Sequence, residues 1–123
     1  MIRKEVCLGA IYSALLLNSA GLLAGEADVV DVKVNCASSC TIKVTVLHQD
    51  EGWEHYVDRW EVVSDSGEVL AVRTLYHPHV QEQPFTRAIY DFKKPDTPQW
   101  VTIRAHDSRH GFGGKTKRVR LPR

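Results

Sequence analysis

Methionine is nearly missing from this chain: Met1 is the only one in 123 residues. That excludes a methionine-rich Cu(I) carrier, which needs several soft thioether donors. Cysteine is scarce too, with Cys7, Cys36 and Cys40 making three. No charge excess exists, since the formal net charge is +1. Such a surface exerts no strong pull on nucleic acid or on an anionic membrane. Repeats, linkers and low-complexity tracts are absent. The apolar run from Val6 to Leu17 is shorter than the roughly 20 residues of a spanning helix, so no membrane span is expected once a leader is removed. "KEVC" lacks the small residues of a lipobox before Cys7, so lipid anchoring there is not expected.

What is present first is a leader. Arg3 and Lys4 precede the apolar run, and Gly25-Glu26-Ala27 fits the small-x-small pattern before a cut. Residues 1–27 are therefore expected to be a signal peptide, helical while in transit, and 28–123 a single domain. Removing Arg3, Lys4, Glu5 and Glu26 from the 16 basic and 15 acidic side chains leaves the net charge at +1. Export places the protein in the periplasm or outside the cell.

From 28 onward, short alternating runs replace helical periodicity. "VVDVKV" puts Val30, Val32 and Val34 on one face. "TIKVTVLH" alternates Ile42, Val44 and Val46 with Thr41, Lys43 and Thr45. "YVDRWEVV" turns Trp60 and Val62 inward. "VLAVRTL", "FTRAIYDF", "QWVTIRAHD" and "KTKRVRL" complete seven strands, and "DSGE" between the third and fourth is a tight turn with Gly67 at positive φ. The expected fold is all-β, a seven-stranded immunoglobulin-like or fibronectin-III-like sandwich. If consecutive strands run antiparallel, the turns at 36–40, 65–67 and 93–98 share one end. The loops at 49–55, 76–84 and 108–114 share the other.

Six histidines, His48, His55, His77, His79, His106 and His110, lie in or beside the loops of that second end. Imidazoles converging from three loops can coordinate a borderline transition metal such as Zn, Cu or Fe. His48 continues the inward parity of Ile42, Val44 and Val46, and a buried histidine needs a hydrogen bond or a metal. Acidic neighbours can ligate or orient imidazoles: Asp50, Glu51, Glu54, Asp58, Glu82 and Asp107. The bland reading is that some of these rings only cap strands or contact Trp53 and Tyr56.

"CASSC" joins two paired strands at the opposite end, where a Cys36–Cys40 disulfide would pin the hairpin in an oxidising compartment. "GFGGKT" imitates a phosphate loop, but Arg109 stands where the first glycine belongs and a strand follows where the motif needs a helix. It is expected to be a flexible loop. Ser108, Asp107 and His110 are neighbours, yet no nucleophile-elbow pattern accompanies them. "KTKRVR" reads as a charged edge strand rather than a nucleic-acid patch.

"HQDEGWEHYVDRWEVV" followed by "HDSRHGF" resembles superoxide reductase, the desulfoferrodoxin and neelaredoxin family. The resemblance implies an immunoglobulin-like sandwich whose iron is held by four histidines and a cysteine. His48, His55 and His110 match the histidines, with the first spacing one residue longer. Asp107 stands in the cysteine's place, so the axial thiolate is missing. "QPFTRAIYDF" through the last strand resembles the Z subunit of the thiosulfate-oxidising sulfur carrier, which binds its partner. As a whole the chain is similar to small exported bacterial sandwich proteins. Three functions follow: an exported metal-binding module with a histidine-lined loop end, an iron enzyme with an altered axial ligand, or a non-catalytic module that grips a periplasmic protein partner. The first is preferred, so a catalytic role is the lesser expectation.

Overall fold

A computed structural model of the chain describes residues 25–122. Most of the leader expected at 1–27 therefore lies outside the described residues. Seven strands follow in order: β1 (Asp28–Cys36), β2 (Ser39–Leu47), β3 (Val57–Ser64), β4 (Val69–Thr74), β5 (Phe85–Lys93), β6 (Gln99–Asp107) and β7 (Lys117–Leu121). They form a three-stranded sheet, β1-β2-β5, and a four-stranded sheet, β4-β3-β6-β7, with every pairing antiparallel. Among the described residues no helix is long and apolar enough to cross a membrane.

Period-two alternation builds the core. On β2, Ile42, Val44 and Val46 are fully buried, and on β6 Val101, Ile103 and Ala105 face them with Trp60 and Val62 of β3. Each of the valines and isoleucines contributes roughly 1.5–3 kcal/mol by leaving water. The alternation then runs past the hydrophobic residues. One step beyond Val46 lies His48, and one step beyond Ala105 lies Asp107, 3% and 0% exposed. The same periodicity that packs the core thus carries an imidazole and a carboxylate to its rim.

On β1 the expected face is corrected. Val30 points outward at 37% exposure while Val29 is buried. A bulge between Val29 and Asp31 inserts one residue and reverses the alternation, so Val29, Val32 and Val34 share the inner face. A second bulge between Val57 and Arg59 lets both Val57 and Trp60 point inward.

The two ends of the fold differ in chemistry. Cys36 and Cys40 are cross-strand partners and are joined by a disulfide. His48 sits at the far end of β2 from Cys40, roughly 26 Å away at strand rise. Near the disulfide end, Gly67 takes φ 94° in the β3–β4 turn, where Ser64 Oγ accepts the Glu68 N–H. At the histidine end, the loops after β2, β4 and β6 interlock. Asp50 Oδ2 accepts the His79 N–H at 2.7 Å, and Ser108 N–H donates to the Tyr56 carbonyl at 2.9 Å.

Candidate metal centre

Asp107 is the hub of this end. Its Oδ2 receives His48 Nε2–H at 2.7 Å, His55 Nε2–H at 2.8 Å and His110 Nδ1–H at 3.2 Å. Its Oδ1 accepts the backbone N–H groups of Arg109 (2.7 Å) and His110 (3.2 Å). That local turn follows from aspartate's habit of bonding the backbone two and three residues on. Gly111, at φ 77°, closes it through paired backbone bonds with Asp107. The turn swings His110 back over the carboxylate that starts it.

The far sides of the rings are held as well. His48 Nδ1–H donates to Asp50 Oδ1 at 2.5 Å, and His55 Nδ1–H donates to Glu51 Oε1. Asp50 is itself fixed by the Val57 and His79 N–H groups, and the Gln83 side chain bridges the His48 N–H and the His79 carbonyl. The loop at 76–84 therefore supports His48 from behind. The His48 and His55 rings stand edge to face, 4.9 Å between centroids, and His55 repeats that arrangement with His110.

Both ring nitrogens of His48 and His55 face acceptors. Each ring must then be an imidazolium or a metal ligand oriented by a carboxylate. Burial works against a charge on His48, but Asp50 and Asp107 outweigh it and raise the pKa. His55 behaves alike: burial lowers its pKa, and Glu51 and Asp107 raise it further than burial lowers it. Burial would also raise Asp107, yet the N–H groups of Arg109 and His110 and the rings of His55 and His110 hold it well below the usual carboxylate range. Asp50 is lowered in the same sense, against its burial, by His48 and two backbone donors.

One atom from each of His48, His55 and Asp107 lies within 4.8 Å of the others, a group that could hold a metal ion. His110 Nδ1 joins through Asp107 Oδ2 and remains 44% exposed at its side chain. Imidazole nitrogens and a carboxylate oxygen are donors of the kind that bind Zn(II), Cu(II) or Fe(II), and a ring held from behind by a carboxylate is a common way of orienting such a ligand. An open cleft of about 910 Å³ lies against the cluster, lined in part by Glu51, Arg109, Lys115 and Gly25.

The remaining histidines lie apart from this cluster. His106 has the opposite parity to Asp107 on β6 and points to the outer sheet face. There its Nδ1 contacts Asp58 Oδ1 (2.8 Å) and Arg59 Nη1 (3.2 Å) beside Phe112. His79 is buried and stacked on Phe85 at 4.1 Å. Its Nε2 accepts from Arg87 Nη2 at 2.9 Å, and its buried Nδ1 has no partner among the described residues. Burial, then Arg87 and His77, lower its pKa. His77 is exposed and donates from Nδ1 to the Pro78 carbonyl at 3.1 Å. Among the acidic neighbours, Asp58 pairs with His106, Glu82 with Arg87 at 3.4 Å, and Glu54 is exposed.

Sequence reasoning passed over Gln83 and the Gly25 carbonyl, which accepts His48 Nε2–H at 2.8 Å. Gln83 carries no signal of its own. Gly25 was assigned to the leader.

No family model matches the chain, and no solved structure matches it. A protein of Halomicrobium mukohataei described as "Putative lipoprotein" is 38% identical to it over 92 residues. The match covers 73% of this chain and 45% of the relative, so the chain spans about half the length of that protein.

Proposed function

We propose that this protein is an exported β-sandwich module that binds one transition-metal ion through His48, His55, His110 and Asp107. The observation that carries this reading is the double hold on His48 and His55. Each presents Nε2 to the same carboxylate oxygen while a second carboxylate grips Nδ1. Without metal, that arrangement sets two neighbouring imidazolium rings against the carboxylates of Asp50, Glu51 and Asp107, and their hold weakens as the rings lose protons with rising pH. A bound ion would be held where the two Nε2 protons now lie, and Asp50 and Glu51 would orient its imidazole ligands. The ion would supply Lewis acidity or a transferable metal; the cleft and the half-exposed His110 supply access to it.

Export is supported by the Cys36–Cys40 disulfide, which belongs to an oxidising compartment, and by the lipoprotein description of the Halomicrobium relative. Periplasmic and secreted locations both fit. The strand order also supports a fibronectin-III-like assignment, because β4 pairs with β3 rather than β5, unlike the constant-type immunoglobulin order.

Mass-spectrometric metal analysis tests the binding reading. Untagged protein, incubated with Zn, Cu or Fe at neutral pH and then desalted, should retain one equivalent of at least one of them. His55→Ala should retain little. Sub-stoichiometric metal in the parent protein under all three conditions would sink the proposal. The superoxide-reductase-like reading predicts in addition that iron-loaded protein reacts rapidly with superoxide in pulse radiolysis. A carboxylate in place of the thiolate favours simple binding over that chemistry.

A further inference from the structure

We infer that residues 25–27 are kept in the exported chain as a wall of the histidine site, so that the leader is cut on the N-terminal side of Gly25 rather than after Ala27. This rests on the reading of the N-terminus as a leader, and it stands independently of metal. Ala27 is 1% exposed and belongs to the core cluster with Val29 and Leu121. The start of β1 is fastened to the loop before β7: Lys115 N–H donates to Asp28 Oδ1 at 2.7 Å, and Val29 N–H donates to the Lys115 carbonyl at 2.8 Å. The Gly25 carbonyl accepts from His48 Nε2, and Gly25 and Glu26 line the cleft.

The same segment packs against the second pair of glycines in "GFGG". A Cβ on Gly114 would lie 1.7 Å from the Ala27 carbonyl oxygen and 2.4 Å from its carbon. A Cβ on Gly113 would lie 1.5 Å from Glu26 Oε2. The Ala27 backbone fills the space a side chain on Gly114 would need, whereas the Glu26 carboxylate beside Gly113 is the tip of a flexible side chain and could swing aside. A cut after Ala27 would empty that space, strip a buried residue from the core and remove an acceptor from His48. Upstream, Ala24, Gly21 and Ala20 offer small residues at which a cut can fall.

The test begins with the whole 123-residue precursor expressed in a bacterial host, its exported product read by N-terminal sequencing and intact mass. The expected product starts at residue 25 or earlier and no longer carries Met1. A product starting at Asp28 would overturn the proposal. A product that keeps Met1 would overturn the leader reading on which it rests, and the mass separates the two. The second arm is Gly114→Ala in the same precursor, melted in EDTA so that metal plays no part. Its methyl meets Ala27 backbone at 1.7 Å if that residue is retained, and only Asp28 Oδ1, at 2.9 Å and then on the first residue of the chain, if it is not. The Tm should fall by about 5 °C or more. An unchanged Tm would overturn the packing argument, and should the variant fail to fold, the sequencing of the parent protein still decides.

Discussion

Replacing Asp107 by asparagine removes a charge while nearly preserving shape, and the structure dictates what it costs. Five N–H donors converge on the two carboxylate oxygens: three imidazole and two backbone. An asparagine has one oxygen. If that oxygen stays with the Arg109 and His110 N–H groups, the amide NH2 faces Nε2 of His48 and His55 as a donor against donors. Two buried charge-assisted hydrogen bonds are lost, at roughly 1.5–3 kcal/mol each. The rings recover part of this by shedding protons, which leaves a loss of about 2–4 kcal/mol. Domain stabilities are about 5–15 kcal/mol, and 1 kcal/mol shifts the Tm of a domain this size by about 4–8 °C. Calorimetry of Asp107→Asn in EDTA at pH 6 should therefore show a Tm roughly 8–32 °C below the parent. A shift under about 4 °C would refute the claim that Asp107 is the electrostatic hub.

Acid and base should both destabilise the metal-free protein, for opposite reasons. The folded pKa values of His48 and His55 lie above 6.5, so their contribution is full below that pH and fades as pH rises through the raised values. Asp50 and Asp107 lie below 3.8, so theirs is present above that pH and fades as pH falls through the lowered values. Urea midpoints should peak between about pH 4 and 6.5, and a monotonic rise to pH 9 would contradict this. Zinc affinity should instead strengthen with pH, because the bound ion displaces ring protons; titration calorimetry in buffers of different ionisation enthalpy should detect their release. Joint Cys36→Ala and Cys40→Ala replacement should cost about 2 kcal/mol in urea unfolding while leaving zinc affinity unchanged, since the disulfide lies at the other end. His77→Ala and His106→Ala should each keep a full equivalent of zinc in metal analysis.

Much of the fold was legible because hydrophobic alternation is strong on β2, β3 and β6, and the parity argument then assigned the loops to ends. Val30 misled it, since a bulge leaves no mark in a run of valines. The site was legible in part. His48 could be placed inward by counting from Val46. The same counting along Val101, Ile103 and Ala105 reaches Asp107, and it turns His106 outward. Asp107 entered the sequence reading as one of six acidic neighbours able to ligate a metal or orient an imidazole, and in the structure three rings converge on it. His79 lies behind the site rather than in it: its backbone N–H fixes Asp50, a contact that no side-chain pattern reveals. The doubly held rings are likewise invisible in sequence, because Asp50 and Glu51 look like any acidic loop residues until the chain folds back.

Anomalous diffraction at the zinc edge from crystals of the zinc-loaded protein tests the central claim most directly. The account predicts a single strong peak within bonding distance, about 2.0–2.2 Å, of His48 Nε2, His55 Nε2, His110 Nδ1 and an Asp107 oxygen. A peak at His77 and His79, or no peak at the Asp107 cluster, would contradict it.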